Sequence, residues 1–266
     1  MVQRTFLEAE RPMERANEQI SSTGMGYPNP YKDKVVDPAL KPADVMKGRL
    51  TADRFENAAL VSVDIQDGDI VHVREQDVDP EHAREGITAA DVNAVSDYLR
   101  DVARPNAARL AAHFRERNVP VILVHWGFSL EGGLDLDPEV RQMLLARHGP
   151  DWKTWGHYIE NPGSRPWSGL KPQPADVILA KTAQDAFRSC PIDFVLRNLG
   201  VKNLFLVGGH TNGCLYQTGS SAVARGYGTV CIEDATWDFC MSRRLSGIQS
   251  VEYDVVCTTR DVLGFA

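Results

Sequence analysis

Three residues of this chain, Asp64, Lys181 and Cys214, are of the types that together perform nucleophilic carbonyl chemistry, and each follows a short apolar run. "ALVSVDIQ" (59–66) carries Asp64 near its end, and "ADVILAK" (175–181) ends on Lys181. "NLFLVGG" (203–209) breaks at Gly208 and Gly209, with Cys214 a few residues beyond. A thiol is a nucleophile only as the thiolate, and a helix N-terminus with a nearby cation lowers its pKa. Cys214 is expected to have both, from a helix over 212–225 and from Lys181. Asp64 is suited to take the thiol proton and return it to a leaving amine. Gly208 and Gly209 allow close backbone approach and unusual torsions, so that N–H groups can face a developing oxyanion. Singly, each residue also has a bland role: a turn cap, a solvated strand end, a small buried hydrophobe. Their coincidence is what points to a reaction.

The elements that must position them follow an alternating rhythm. The pattern predicts buried strands at 59–66, 119–126, 175–181, 203–209, 228–235 and 253–259. Helical spacing runs over 88–103 (Val92, Val95, Leu99) and 105–118 (Ala107, Leu110, Ala111, Phe114), with Pro105 at a break or first turn. Further helices are expected at 138–147, 191–199 and 212–225. Strands alternating with helices give an α/β fold, a doubly wound three-layer sandwich around a six-stranded, mainly parallel sheet. Ligands in such folds bind beyond the carboxyl ends of the strands. Asp64, Lys181 and Cys214 all fall on that edge.

Residues 1–57 break the rhythm. They hold Pro12, Pro28, Pro30, Pro38 and Pro42 with scattered aromatics, so an extended N-terminal arm is expected, laid across a neighbouring subunit of a homodimer or homotetramer. Residues 58–266 form the domain, with a Gly-, Pro- and Trp-rich, lid-like insertion at about 127–174. The 266 residues, 43% hydrophobic and 24% charged, suffice for a sizeable core. A net charge of −7 argues against nucleic acid as a partner. No stretch approaches the roughly 18 apolar residues of a membrane span, and the N-terminus carries acids without an apolar leader. The five cysteines are odd in number and lack CxxC spacing, which excludes a zinc ribbon and fits reduced thiols in the cytoplasm.

Other residues are candidates for binding substrate. Trp126, after His125 at the end of the second strand, suits an aromatic pocket wall. Trp155, His157, Tyr158 and Trp167 lie in the insertion, where aromatics either meet substrate or fold the lid down. Arg188 and Ser189 suit a carboxylate or carbonyl, or a surface ion pair. Gln66 is placed to orient Asp64 or the substrate. His210 stands four residues before Cys214, a spacing compatible with a Cys–His dyad that the glycine-rich turn disfavours.

Over about 58–264 the chain resembles the isochorismatase-like cysteine hydrolases, which include nicotinamidase and N-carbamoylsarcosine amidohydrolase. "LVSVDIQDG" is similar to the family's strand ending in Asp-x-Gln. "DVILAKTAQDAF" is similar to its Lys followed by a small–Phe pair, here Ala186–Phe187. "LVGGHTNGCLYQT" resembles its Gly-x-x-Thr-x-x-Cys signature, and "ARGYGTVCIEDAT" its Gly-Tyr-x-Val strand. The resemblance implies Cys214 as nucleophile, Asp64 as general base and acid, and Lys181 as the cation between them. It also implies a cis peptide at Gly209–His210, an oxyanion hole from the backbone N–H groups of His210 and Cys214, structural roles for Thr211 and Thr218, and Phe187 near the substrate. Two departures matter. "DIQDGDIV" lacks the Asn-Asp-Phe that often follows the motif. The metal-binding Asp-x-His cluster of nicotinamidases is absent from 67–90, where only His72 and His82 occur. The expectation is therefore a metal-free, cofactor-free amidohydrolase of the branch acting on small amides, N-carbamoyl compounds and ureides. The rivals are ether hydrolysis of the isochorismatase type, which needs no thiol, and a non-catalytic binding or scaffold relative.

Overall fold

The structure is a computed structural model, which describes residues 39–265 apart from 70, 79–82 and 85. Six short runs of β-branched and aliphatic residues form the strands β1 (Ala58–Val63), β2 (Val121–Trp126), β3 (Val177–Lys181), β4 (Asn203–Gly209), β5 (Gly228–Trp237) and β6 (Val255–Cys257). They pair all-parallel in the order β3-β2-β1-β4-β5-β6. Every residue of β1 and β2 is buried, because both faces of the sheet are covered.

Alternation along the strands sorts the core into two layers. Ala59, Val61 and Val63 face one side with Leu204 and Leu206, and Ala58 and Leu60 face the other with Phe205 and Val207. On the first side lie α4 (Pro138–His148), α5 (Ala186–Ser189), α6 (Ile192–Asn198), α7 (Cys214–Ala224) and α8 (Met241–Gln249), contributing Leu144, Phe187, Leu196, Leu215 and Ile248. On the second lie α3 (Arg104–Glu116) and α9 (Thr259–Leu263), through Leu110, Phe114 and Val262. The strand order reverses between β1 and β4, and the helices that follow these two strands leave on opposite faces. That divergence opens the crevice in which doubly wound sheets bind ligands.

The helix pair expected around Pro105 is one continuous rod. The helix α2 (Ala89–Tyr98) runs through a π turn at Leu99–Ala103 into α3. Pro105 lacks an N–H and its ring crowds the carbonyl four residues back, and the wider turn ahead of it takes up the mismatch. The Arg104 amide bonds to Leu99 O five residues earlier. The pattern reading missed α8 because Arg243 and Arg244 interrupt its apolar spacing; Arg244 is nevertheless 3% exposed.

Of the expected arm, residues up to Pro38 lie outside the described residues, and so does any contact they make with a neighbour. Residues 39–57 lie on the body of their own chain. The short helix α1 (Pro42–Val45) precedes an antiparallel bridge from Lys47 to Val256 at the edge strand β6. Phe55 stacks against Phe114, Phe205 and Phe265 at 6.3, 4.9 and 5.2 Å. An apolar ring of that size gains more from the core than from an extended arm. Among the described residues no helix is long and apolar enough to cross a membrane, and all five cysteines are free thiols.

Candidate active site

The parallel register places the three reactive side chains together. Asp64 directly follows β1, its N–H held by Val124 O of β2 at 2.9 Å and its φ at +51°. Lys181 ends β3, paired with Trp126 at the end of β2. Cys214 opens α7 just beyond β4. Lys181 Nζ lies 2.9 Å from Asp64 Oδ2 and donates to Cys214 Sγ at 3.3 Å and to Ala183 O at 3.2 Å. The same Nζ sits 3.6 Å from the centre of the Trp126 ring, a cation–π contact. Trp126 is thus a wall of the cluster, as its position on the strand suggests.

The cluster is enclosed: Lys181, Cys214 and Asp64 are 0%, 4% and 5% exposed. Burial raises the Asp64 carboxyl above its ordinary value, although Lys181 pulls the other way. It also pushes the Cys214 thiol up to about 12, with the Asp64 charge adding to the rise and Lys181 opposing it. Burial of the sulfur thus opposes the lowering expected from the helix and the cation. Neither Asp64 oxygen has a well-aligned hydrogen bond, so the carboxylate stays open to the thiol proton.

The turn between β4 and α7 needs its two glycines. A Cβ on Gly208, at φ +106°, would stand 1.9 Å from Val63 O, and one on Gly209 would stand 2.6 Å from Trp237 Nε1. The Gly209–His210 peptide is cis, where the motif resemblance puts it. His210 O accepts from the amides of Gly213 and Leu215 at 2.9 and 3.0 Å. As the first residue of α7, Cys214 has an amide with no acceptor inside the helix, as an oxyanion donor requires. The His210 ring packs on Trp237 and Phe239 at 4.2 and 3.8 Å, an aromatic setting rather than a dyad with Cys214. Thr211 Oγ1 donates to the buried Asp238 at 3.0 Å, and Asn212 N to the same oxygen at 2.6 Å. Thr218 Oγ1 instead accepts the Ala186 amide at 3.2 Å, joining α5 to α7.

The other sequence candidates scatter. Phe187 packs against Tyr227, 5.8 Å away, and beneath Arg225. Arg188 forms a surface ion pair with Asp137 at 3.0 Å, its side chain 59% exposed. Ser189 Oγ donates to Asp185 O at 2.8 Å, an internal helix contact. Trp155 is 1% exposed, with Nε1 on Gly149 O at 3.0 Å and its ring on Phe128, so it is the core of the insertion. Trp167 lies over the Arg104 guanidinium at 5.1 Å and packs into the layer opposite Cys214. Gln66 uses its side chain structurally: Oε1 accepts from Trp126 N at 3.0 Å and Nε2 donates to Ser164 O at 2.8 Å.

Two histidines stand closer to the cluster than the pattern suggested. His125 Nδ1 is 2.6 Å from Ser164 O. His157, from the insertion, sits edge-on to Trp126 at 5.2 Å; burial and the nearby Lys181 lower it to about 4. Its Nδ1 has no partner. Their signal in the sequence was only position, at a strand end and in an aromatic loop. His72 pairs with Asp97 at 3.0 Å at the surface, and His82 lies outside the described residues. Among the described residues no three His, Cys, Asp or Glu side chains converge as a metal site.

The chain has relatives among known proteins. The sequence is 31% identical over 131 residues to the ureidoacrylate amidohydrolase RutB of Agrobacterium fabrum, covering 48% of this chain and 52% of that one. It is 35% identical over 99 residues to the RutB of Rhizobium rhizogenes, covering 37% and 35%. The chain thus spans about half or less of the length of these curated relatives. Among solved structures, an isochorismatase family protein from Desulfovibrio vulgaris aligns with a TM-score of 0.57 at 23% identity, over 78% of this chain and 98% of that one. The N-carbamoylsarcosine amidase of Thermoplasma acidophilum aligns at 0.53 and 21%, over 76% and 96%. These likenesses confirm the fold. The Isochorismatase domain itself is matched by residues 58–261, from the first strand to the last helix, and the chain belongs to that family.

Proposed function

We propose that the chain is a cysteine-dependent amidohydrolase that cleaves a C–N bond of a small amide, N-carbamoyl compound or ureide. The observation that carries this reading is Lys181 Nζ, 2.9 Å from Asp64 and 3.3 Å from Cys214 Sγ in an enclosed site. The names of the relatives, ureidoacrylate amidohydrolase and N-carbamoylsarcosine amidase, support the substrate class.

With the thiol pushed up to about 12 by burial, the neutral thiol is favoured at pH 7. Attack therefore couples to proton transfer: Sγ bonds to the carbonyl carbon as its proton passes to Asp64. The carbonyl oxygen becomes an oxyanion facing the amides of His210 and Cys214. Collapse breaks the C–N bond, and Asp64 returns the proton to the departing ammonia or amine. Water then attacks the thioester or thiocarbamate, giving a proton to Asp64. The C–S bond breaks, and that proton restores the thiol. Lys181 offsets the negative charge shared by Asp64 and Cys214 throughout. Every proton and the nucleophile come from side chains and water, so the scheme calls on no metal.

Isochorismatase-type ether cleavage leaves the thiol idle, whereas here Cys214 is bonded to the same ammonium as Asp64. The test is an ammonia-release screen over small amides and ureides, with mass spectrometry of Cys214 after a single turnover of a slow substrate. A covalent adduct on Cys214 is expected. Full-rate hydrolysis after selective alkylation of Cys214 would refute the reading.

A further inference from the structure

The Asp64 carboxylate meets the Lys181 ammonium at 2.9 Å, and its aim at Cys214 depends also on the backbone that carries it. That backbone is gripped two residues later. Asp69 Oδ2 accepts the Gln66 amide at 2.5 Å, and Arg104 Nη2 donates to the Gln66 carbonyl. Arg104 and Asp69 are themselves paired, Nη2 to Oδ2, at 3.6 Å. Arg104 is 4% exposed and its guanidinium lies beneath Trp167, whose amide bonds to Ile65 O at 2.8 Å. With its side chain on Trp126 N and Ser164 O, Gln66 is held by its amide, its carbonyl and both ends of its side chain.

We infer that Asp69 and Arg104 are positioning residues for catalysis: a hydrogen-bonded clamp, Asp69 Oδ2 on the Gln66 amide and Arg104 Nη2 on its carbonyl, that fixes the direction of the Asp64 carboxylate. Desolvating an arginine and an aspartate is costly, and an apolar pair often stabilises a fold as well or better. A pair so placed, with both partners on the backbone beside the base, has a functional explanation that stability does not supply. Arg104 is presented there because the π turn ahead of Pro105 sets the first residue of α3 over the end of β1. A displacement of about 1 Å of a reacting group costs on the order of 100-fold in rate.

The inference rests on the proposed role of Asp64 as base, and its test has a readout independent of any substrate. In Asp69→Ala, kcat is expected to fall about tenfold or more with KM within about twofold, since the binding surface is untouched. Asp69→Asn, which keeps an acceptor for the Gln66 amide, should recover most of the loss. In parallel, the rate of carbamidomethylation of Cys214 by iodoacetamide at pH 8, read by peptide mass spectrometry, should fall by a similar factor in Asp69→Ala. Cys190, partly buried and bonded to Ala186 O, serves as the internal control for folding. Wild-type kcat and wild-type Cys214 labelling in a folded Asp69→Ala variant would overturn the clamp. Equal loss in Asp69→Ala and Asp69→Asn would also overturn it. If wild type hydrolyses no amide or ureide, the proposed function fails while the labelling still decides the clamp.

Discussion

Two buried ion pairs in this molecule look alike and do different work. Arg244 and Glu233 join α8 to β5, with side chains 3% and 4% exposed. Arg244 also donates to the Glu233 carbonyl at 2.8 Å and lies over Tyr98 at 4.8 Å. Lys181 and Asp64 are as deeply buried, yet both Asp64 oxygens lack an aligned hydrogen bond, and the third group on the ammonium is a thiol. The difference lies in residue type. A guanidinium fork can occupy a carboxylate with several directed donors, whereas a lysine is a compact charge that leaves its partner reactive. A carboxylate occupied by directed guanidinium donors holds elements together; one that meets a lysine and a thiol is available for proton transfer.

Substitutions can break that comparison. The largest effect belongs to Cys214→Ala, expected to lower kcat by at least about 10⁴-fold with an unchanged circular dichroism spectrum. Residual turnover near wild type would mean the thiol is not the nucleophile. Next is Lys181→Met, which should cost more than about 100-fold in kcat but little in binding. Its stability cost should be the smaller of the two pairs, because burial already raises Asp64 and lets it take up a proton when its partner goes. Arg244→Met should show the reverse: about 3–5 kcal/mol less stable by urea unfolding, with Cys214 labelling unchanged at a denaturant-free pH. Equal patterns in the two variants would erase the distinction.

A subtler test uses pH. Burial pushes Asp69 up to about 8, with Gln66 N–H and Arg104 opposing and the Asp64 charge adding to the rise. The native state therefore holds a proton that the unfolded chain has already lost. The associated stability is complete below the unfolded value near pH 4 and is lost as pH rises to about 8. In Asp69→Asn that share of the slope disappears, so the variant gains stability relative to wild type between pH 4 and 8. Parallel urea-midpoint curves for the two proteins would contradict it. The smallest effect is assigned to Arg188→Ala: a surface pair with Asp137 is worth about 0–1 kcal/mol, and kcat/KM should change by less than about twofold. A tenfold rise in KM would restore Arg188 to the binding surface.

The site was legible to the extent that it is one-dimensional. Asp64, Lys181 and Cys214 each terminate or follow a buried run, and parallel strands bring such ends to one edge whatever the loops do. Trp126 was legible for the same reason. Phe187, Arg188 and Trp155 were not, because a side chain's direction off a short helix or loop depends on what packs against it. Arg104 had a faint signal, a charged residue in register with Ala107 and Ala111 on the apolar face of its helix. Asp69 had none, since its partner is a backbone amide three residues away.

The sequence by itself determined the six strands, their parallel association and the edge on which chemistry falls, because hydrophobic period and strand length are local properties. It also marked the glycine turn before Cys214, since a missing Cβ is visible in any reading. Only the tertiary structure decided how strongly burial opposes ionisation of the site. A helix terminus and a lysine both argue for a thiolate, but whether they prevail depends on how much water remains around the sulfur. Here the packed ends of four elements exclude it, and desolvation, a property of the assembled fold alone, pushes the Cys214 thiol up to about 12.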